Sequence, residues 1–154
     1  MTAPVEFEVI GLPAPQGSKR HVGNGVMVES SKANKPWRAA VAAAARDVSI
    51  EVGQFDGPLC LTVEFRFPMP KSRKAAVRAA GLGWKTTAPD LDKLVRSGGD
   101  ALTESGLIRD DAIVSVVVAT KVEVTGWTGA TIAISEAALI AEYGRRCGIG
   151  GGDR

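Results

Sequence analysis

Alternation of hydrophobic and polar residues defines the predicted strands. Residues 5–10 alternate with Glu6 and Glu8 and predict a strand with one solvated face. Residues 59–67 and the Val-rich segment 108–124 predict two more strands. The latter is apolar on both faces over residues 113–118, which indicates a central place in the sheet. A turn at residues 126–129 predicts that residues 130–134 return as its antiparallel partner.

Two longer helices are predicted between these strands. Pro36 suits the first turn of a helix over residues 35–50, and a second helix over residues 90–103 contains the weakening pair Gly98-Gly99. Residues 12–34 predict a long loop with a short hairpin near residues 26–28, and residues 81–89 another loop. Shorter helices are predicted at 71–80 and 137–143. The sum is an α+β fold, a small mixed or antiparallel sheet with helices packed on it.

Composition narrows the class of protein. The 154 residues are 45% hydrophobic with a net charge of +2, which fits one globular domain. No apolar run approaches the roughly 18 residues needed to span a bilayer. Residues 1–4 lack a secretory signal, so we expect a cytoplasmic protein. Cys60 and Cys147 are too far apart in sequence to suggest a zinc site or disulfide framework.

Charge is distributed unevenly along the chain. Residues 1–85 contain 12 Lys and Arg against 7 Asp and Glu, whereas residues 86–154 contain 7 against 10. Residues 66–85 contain six basic residues and no acidic one. The pattern favours a phosphate-binding surface next to a cation site. An ordinary solvated surface explains the charges equally well.

Carboxylates cluster in residues 89–96 and 109–111. Hard cations such as Mg²⁺ prefer oxygen ligands, and two or three carboxylates are usual in phosphate-cleaving sites. In a continuous helix Asp90 and Asp92 would point about 200° apart. They converge only if Asp90 precedes the helix, and Asp is a favoured N-cap residue. We therefore predict Asp90 as the N-cap and Asp92 in the first turn.

Chain length places Asp111 relative to these two acids. The helix climbs about 17 Å from Asp92 to Thr103, and an extended chain from Gly106 returns about 17 Å by Asp111. If that return is antiparallel, Asp111 ends near the first turn, and three carboxylates surround one cation or two. Arg96, at i+4 from Asp92, could orient a carboxylate or hold the scissile phosphate.

Lys121 is excluded from this site by the same geometry. It lies about 33 Å from Asp111 along an extended strand, and we assign it to an ion pair with Glu123.

Each acid also has an ordinary structural explanation. Asp90 could only cap the helix, and Asp92 and Arg96 could form a surface ion pair. Asp110 and Asp111 could form a turn. The spacing of these residues alone does not distinguish these structural interpretations from a metal site.

The residues, in this order, resemble the RusA family of Holliday junction resolvases, especially its phage-encoded members. The resemblance runs from Val5 to Glu136 and predicts a RusA-like nuclease domain over residues 1–136, followed by an extension over 137–154 with a flexible Gly-rich tail. The matching motifs are Gly11-Leu12-Pro13-Ala14-Pro15-Gln16-Gly17-Ser18-Lys19, Trp37-Arg38, Phe65-Arg66-Phe67-Pro68, Pro89-Asp90-Leu91-Asp92-Lys93-Leu94, Asp100-Ala101-Leu102 and Asp110-Asp111.

The resemblance implies a homodimeric, Mg²⁺-dependent endonuclease that nicks four-way DNA junctions symmetrically, with Mn²⁺ as a substitute metal. The essential acids of the family fall on Asp90, Asp92 and Asp111, and its catalytic basic residue, commonly Lys, falls on Arg96. An arginine stabilises negative charge but does not release a proton, so we expect an electrostatic role. Lys93, where many members have Asn, and Gly98-Gly99, where an apolar pair is usual, are further departures.

DNA contacts are predicted from the basic residues. The candidates for phosphate contacts are Lys19, Arg20, Lys71, Arg73, Lys74 and Lys85, with a steep salt dependence. Two other functions fit the same residues. One is a branched-DNA-binding protein without catalysis, and the other is a metal-dependent nuclease for flaps or forks. Neither alternative calls for a membrane or an organic cofactor.

Overall fold

Seven strands and three helices make up the computed structural model, which describes residues 3–17, 19–21, 23–24, 27–29 and 32–137. The strands are β1 (Val5–Ile10), β2 (Lys19–His21), β3 (Met27–Glu29), β4 (Leu59–Pro68), β5 (Leu82–Trp84), β6 (Val114–Val124) and β7 (Gly129–Glu136). The helices are α1 (Asn34–Val52), α2 (Ala75–Ala80) and α3 (Leu91–Ser105). One turn of 3₁₀ helix, Asp111–Ile113, precedes β6.

Five strands form one mixed sheet in the order β1-β7-β4-β6-β5. β7 is antiparallel to both β1 and β4, whereas β4 and β6 are parallel, and β5 is antiparallel to β6. β2 and β3 form a separate antiparallel pair, which confirms the predicted hairpin. The predicted α+β class with a mixed sheet is also confirmed.

The core lies between one face of this sheet and the helices α1 and α3. The odd-numbered positions of β4 are buried, as period-2 alternation requires. They pack against Trp37 and Val41 of α1 and against Leu94 and Leu102 of α3. On the other face of β4, Arg66 pairs with Glu64, with its guanidinium carbon 4.4 Å from the Trp127 ring centroid. α3 is thus attached to the sheet through the buried residues of its inner face.

Two predictions about the C-terminal strands are wrong. β6 begins at Val114 rather than residue 108, and it lies next to the edge strand β5 rather than at the centre. Because β5 pairs only with residues 122–124, the preceding residues of β6 pair with β4 alone, and Val117 and Val118 are 46% and 51% exposed. β7 returns as an antiparallel strand, but its partners are β1 and β4. The connection from β6 to β7 passes β4, so β7 lies between β1 and β4, where Ala130, Ile132 and Ile134 are buried in the core.

Close backbone approach joins β1 to β7 at Gly129. Its φ is +149°, and a Cβ there would overlap the carbonyl oxygen of Val9. Only glycine fits, because it has no Cβ and tolerates positive φ.

The remaining predictions concern shorter segments. The basic helix is present as α2, but residues 82–84, predicted as loop, form β5. The predicted helix at 137–143 and the Gly-rich tail lie outside the described residues, apart from Ala137. Among the described helices, none has the length and apolarity that crossing a membrane requires.

Candidate metal and DNA site

The start of α3 presents two acidic side chains. Asp90 is the N-cap, in an extended conformation (φ −68°, ψ 138°), and Asp92 lies in the first turn, as predicted. The Asp90 carboxylate accepts no capping hydrogen bond and instead lies 3.1 Å from the Lys93 ammonium. Both carboxylates are exposed. Capping therefore does not account for Asp90, because its side chain is directed away from the helix amides.

One face of α3 continues from these acids. Asp92, Arg96 and Gly99 follow at i, i+4 and i+7, which places them above one another on the helix surface. Arg96 is exposed and forms no ion pair with Asp92. Within the described residues, the carboxylates of Asp92 and Asp111 have no hydrogen-bond or ion-pair partner. An ordinary surface ion pair between Asp92 and Arg96 is thus not what this face contains.

Asp111 approaches the same face from the following turn. The Asp110 carboxylate accepts a hydrogen bond from the Ala112 amide at 2.8 Å and caps the 3₁₀ turn. Asp111 is left to face α3, where a Cβ on Gly99 would lie 3.8 Å from its own Cβ. Turn formation accounts for Asp110, whose carboxylate caps the turn, but not for Asp111, whose carboxylate takes no part in it.

This position corrects the expectation that Asp111 lies at the first turn of α3. The chain does reverse alongside α3, because Asp111 lies beside Gly99 whereas Val114 and Val117 share a cavity with Val95. However, the 3₁₀ turn is compact, so the return is shorter than that of an extended strand. Asp111 therefore stops about 10 Å short of Asp92 along the helix axis, at about 1.5 Å per residue.

The three predicted ligands consequently share a face but do not surround one point. Among the described residues, no group of three or more His, Cys, Asp or Glu is close enough to hold one metal ion. Arg96 lies between the Asp90–Asp92 pair and Asp111. The arrangement is two acidic positions on either side of a guanidinium.

Two clefts meet at Asp111. One, of about 240 Å³, has Arg96 and Asp111 at its rim and the apolar residues Val95, Val114 and Val117 on its walls. The other, of about 350 Å³, lies between α1 and α3 and is lined by Arg38, Asp100, Thr103, Glu104, Asp110 and Asp111. Arg38 pairs there with Glu104 at 3.1 Å and with Asp100 at 3.9 Å. Asp111 is thus accessible from both sides of the helix.

The candidate phosphate-binding residues differ in whether their side chains are exposed or already bound to other residues. Arg73 donates through Nε to the buried Glu123 at 2.5 Å. Lys85 is 13% exposed, with its ammonium 2.9 Å from Thr87 Oγ1. Lys71 and Lys74 are exposed, near the start of α2. Lys19 and Arg20 belong to β2, and their side chains lie outside the described part.

Glu123 is the one buried carboxylate in this region, at 1% exposure. The hydrogen bond from Arg73 lowers the pKa of Glu123 below its ordinary value, against the opposing effect of burial. The same bond raises the pKa of Arg73. The Lys85 ammonium lies 4.0 Å from the other oxygen of Glu123 and 5.0 Å from the Phe67 ring centroid. Arg73 and Lys85 therefore have a structural role in pairing with Glu123, which is separate from any contact with DNA.

Lys121 lies at the acidic end of α3, contrary to the assignment made from the sequence. Its ammonium donates to the carbonyl oxygens of Thr87 and Pro89, at 2.7 Å each. It makes no ion pair with Glu123, whose partners are Arg73 and Lys85. The 33 Å separation excluded only a meeting with Asp111. The loop before α3 brings Asp90 close to the C-terminal half of β6, where Lys121 lies, whereas Asp111 precedes the N-terminal end of this strand. Strand length alone did not predict this proximity.

Sequence reasoning missed Arg38 and the approach at Gly99 as well. Trp37-Arg38 was noted only as a motif, although charge at i+3 or i+4 spacing along a neighbouring helix, as in Asp100 and Glu104, is a usable sign of a partner. Gly99 was interpreted as a weak point of the helix. Gly99 is buried, and a Cβ there would meet the Asp111 Cβ at an ordinary contact distance of 3.8 Å, so α3 and the Asp111 turn pack closely at this position.

Comparisons with known proteins bear on what these residues do. A family model described as endodeoxyribonuclease RusA matches residues 11–135, which include α3, Asp111 and β6. A search of curated proteins found no match. Because the family model covers most of the chain, including the whole acidic face, this protein belongs to the RusA endodeoxyribonuclease family.

Proposed function

We propose that this protein is a Mg²⁺-dependent endonuclease that resolves four-way DNA junctions by paired symmetric nicks. One observation carries the proposal. In a member of an endodeoxyribonuclease family, the carboxylates of Asp92 on α3 and of Asp111 beside it lie on either side of the Arg96 guanidinium, and none of the three has a side-chain partner among the described residues. Exposed charges of this kind contribute little to stability, so the proposal rests on their grouping on one surface in a member of this nuclease family.

The chemistry of the donors fits Mg²⁺. All three acids offer hard oxygen atoms, and neither Asp92 nor Asp111 is engaged by another described side chain. Mg²⁺ is usually held by one or two carboxylates together with water and substrate phosphate, so three converging acids are not required. Asp90 and Asp92 would provide ligands at one end of the face and Asp111 at the other. Mn²⁺, which accepts the same ligands, would substitute.

Each side chain then has a role in phosphodiester hydrolysis. A bound Mg²⁺ would activate water and stabilise the leaving oxygen. Arg96, between the acids, would donate to the non-bridging oxygens of the scissile phosphate and offset the charge that develops on them. Its guanidinium keeps its protons, so it acts electrostatically. The apolar walls of the neighbouring cleft would limit water around that phosphate.

The DNA outside the cut site would contact the basic surface. Lys71 and Lys74 are exposed and free to contact phosphates, and Lys19 and Arg20 remain predictions. Each phosphate neutralised steepens the dependence of affinity on salt by about one unit in the log–log slope.

A homodimer would match the substrate. A four-way junction offers two equivalent strands for symmetric cutting, and a two-fold dimer presents two equivalent sites. Sedimentation of the protein alone and with junction DNA measures the subunit number. A complex with one subunit per junction contradicts paired nicking by a dimer.

The test of the activity is nicking of a synthetic four-way junction with and without Mg²⁺. We expect cleavage by the wild type to need the metal and Asp92→Asn to lose it by about 10³-fold or more, because a metal ligand contributes several kcal/mol to the transition state. Asp47→Asn, an exposed aspartate on α1 remote in sequence from the site, is the matched control. Flaps, forks and duplex DNA complete the panel.

The outcomes separate the competing functions. Junction binding without any nicking by the wild type contradicts an enzyme and indicates a binding protein. Preferential cutting of flaps or forks keeps the nuclease and rejects the junction. Undiminished nicking by Asp92→Asn rejects the assigned acids.

A further inference from the structure

The segment that leads into α3 is held by side chains from β6. Lys121, opposite Phe65 of β4 in the sheet, donates two hydrogen bonds from one ammonium to the carbonyls of Thr87 and Pro89. Both distances are 2.7 Å, which is short for charge-assisted bonds of this type. Lys121 therefore engages the backbone on both sides of Ala88, directly before Asp90.

A second set of contacts anchors the same segment one step earlier. The Lys85 amide donates to the Lys121 carbonyl at 3.2 Å, and the Lys85 ammonium to Thr87 Oγ1 at 2.9 Å. Lys85 in turn lies beside Glu123, which Arg73 also engages. The loop from Lys85 to Pro89 is thus attached to β6 through backbone and side-chain contacts.

Asp90 depends on this attachment for its position. Its carboxylate makes no bond to the helix amides, and its local contact is the exposed ion pair with Lys93 at 3.1 Å. Its backbone follows directly from Pro89, whose carbonyl Lys121 holds. The Lys121 ammonium makes no ion pair with Asp90 or Asp92. Lys121 therefore contacts the backbone that precedes these acids and not their carboxylates.

We propose that Lys121 is a positioning residue of the cation site, which fixes the Thr87–Pro89 backbone so that Asp90 and Asp92 are presented together to a divalent cation. This inference rests on the proposed function, since it assumes that these acids bind a metal. Lys121 contacts neither the cation nor the substrate. Partners that orient metal ligands commonly contribute about 10- to 100-fold to metal affinity, and that is the contribution expected here.

The test measures Mn²⁺ binding to the DNA-free protein by electron paramagnetic resonance of the free ion. We expect Lys121→Met to weaken Mn²⁺ binding by about tenfold or more. Lys121→Arg, which keeps the charge and several donors, should recover most of the affinity. Lys35→Met, on an exposed lysine of α1, is the matched control and should bind Mn²⁺ as the wild type does.

Two further measurements separate positioning from a general loss of stability. Amide hydrogen exchange over residues 86–94 should accelerate in Lys121→Met while the strands β4 and β7 stay protected. Lys121→Gln, which keeps an amide donor, provides the same comparison if Lys121→Met does not fold. A lower melting temperature with unchanged Mn²⁺ affinity, in either folded variant, overturns the proposal and leaves Lys121 a purely structural residue.

The two proposals fail in different ways. Wild-type protein that binds Mn²⁺ and nicks the junction, together with a Lys121→Met variant of equal Mn²⁺ affinity, overturns the role of Lys121 alone. Wild-type protein that neither binds Mn²⁺ nor nicks any branched DNA overturns the proposed function, and the role of Lys121 with it.

Discussion

The two faces of α3 contain different kinds of residue. The inner face packs Leu94, Ala101 and Leu102 into the core, each at most 1% exposed. The outer face presents Asp92, Lys93 and Arg96 to solvent, and neither Asp92 nor Arg96 has a partner among the described residues. One helix of 15 residues thus connects the core to the candidate site.

The contrast between the two faces allows the contributions to stability and to activity to be measured separately. Burial of the inner face stabilises the fold by about 25 cal/mol per Å² of apolar area. The outer face contributes little to folding, because exposed charges interact weakly through water. Substitutions on one face should therefore change unfolding, and substitutions on the other should change cleavage, with little overlap.

Arg96 should give the largest separation. We expect Arg96→Ala to lower kcat for junction nicking by about 10²–10³-fold, the usual loss when one donor to developing negative charge is removed. Its melting temperature should stay near that of the wild type, since Arg96 is exposed. Arg96→Lys should retain most activity, because it keeps the charge. Equal losses in stability and activity for Arg96→Ala contradict the distinction between the two faces.

Leu102 tests the inner face. Leu102→Ala should lower the free energy of unfolding by about 3 kcal/mol, from lost burial and the cavity left behind. Urea denaturation measures this loss. At a temperature where the variant is folded, Mg²⁺-dependent nicking should be nearly normal. A folded Leu102→Ala protein without activity contradicts the expectation that the inner face of α3 affects stability and not cleavage.

Glu123, a buried carboxylate on β6, tests whether an ion pair inside the fold contributes to stability. Its pKa lies below the ordinary glutamate value of 4.5, because Arg73 stabilises the carboxylate. The stability it contributes is therefore fully present above about pH 4.5 and is lost as the pH falls through the lowered pKa. Glu123→Gln should cost about 1–3 kcal/mol at pH 7.

The pH profile supplies the check on Glu123. Urea titrations at pH 7 and at pH 3 should show the gap between wild type and Glu123→Gln shrinking at the lower pH. A gap that stays constant with pH contradicts the ion pair with Arg73 as its cause. Arg73→Lys serves as the companion variant, because it keeps a positive charge near Glu123.

Lys93 should give the smallest effect. Its ammonium pairs with Asp90 and competes with any cation there. Both groups are largely exposed, so the pair is worth under about 1 kcal/mol, which limits the gain in Mn²⁺ affinity to about fivefold for Lys93→Asn. Titration of Mn²⁺ with the DNA-free protein measures it. Weaker binding by Lys93→Asn means that Lys93 supports the site rather than competing for it.

Local sequence signals predicted much of the fold. The alternation in β1 and β4 and the Ala-rich run of α1 identified these elements within about two residues. The order of strands was not accessible, because the same apolar run in residues 113–118 fits a central strand and a strand next to a short edge. The structure distinguishes these two positions of the strand, because Val122 and Val124, which pair with β5, are buried, whereas Val117 and Val118 are exposed.

The site was predictable in part for similar reasons. Helix periodicity and N-cap preference placed Asp90, Asp92 and Arg96, since these depend on neighbours within one turn. Asp111 was misplaced because a 3₁₀ turn and an extended chain of equal length end at different points. Lys121 was missed because its partners are backbone carbonyls some 32 to 34 residues away, which no pattern of side chains encodes.

The position of β7 in the sheet has a consequence for synthesis. Among the described strands this one is synthesised last, yet it lies between β1 and β4. A nascent chain that has emerged only as far as β6 lacks the strand that joins its first strand to the rest, and long-range pairings of this kind form late in folding. Translation products that end before β7 should therefore lack the strand that joins β1 to β4, and the sheet that packs against α3 stays incomplete until β7 has been made.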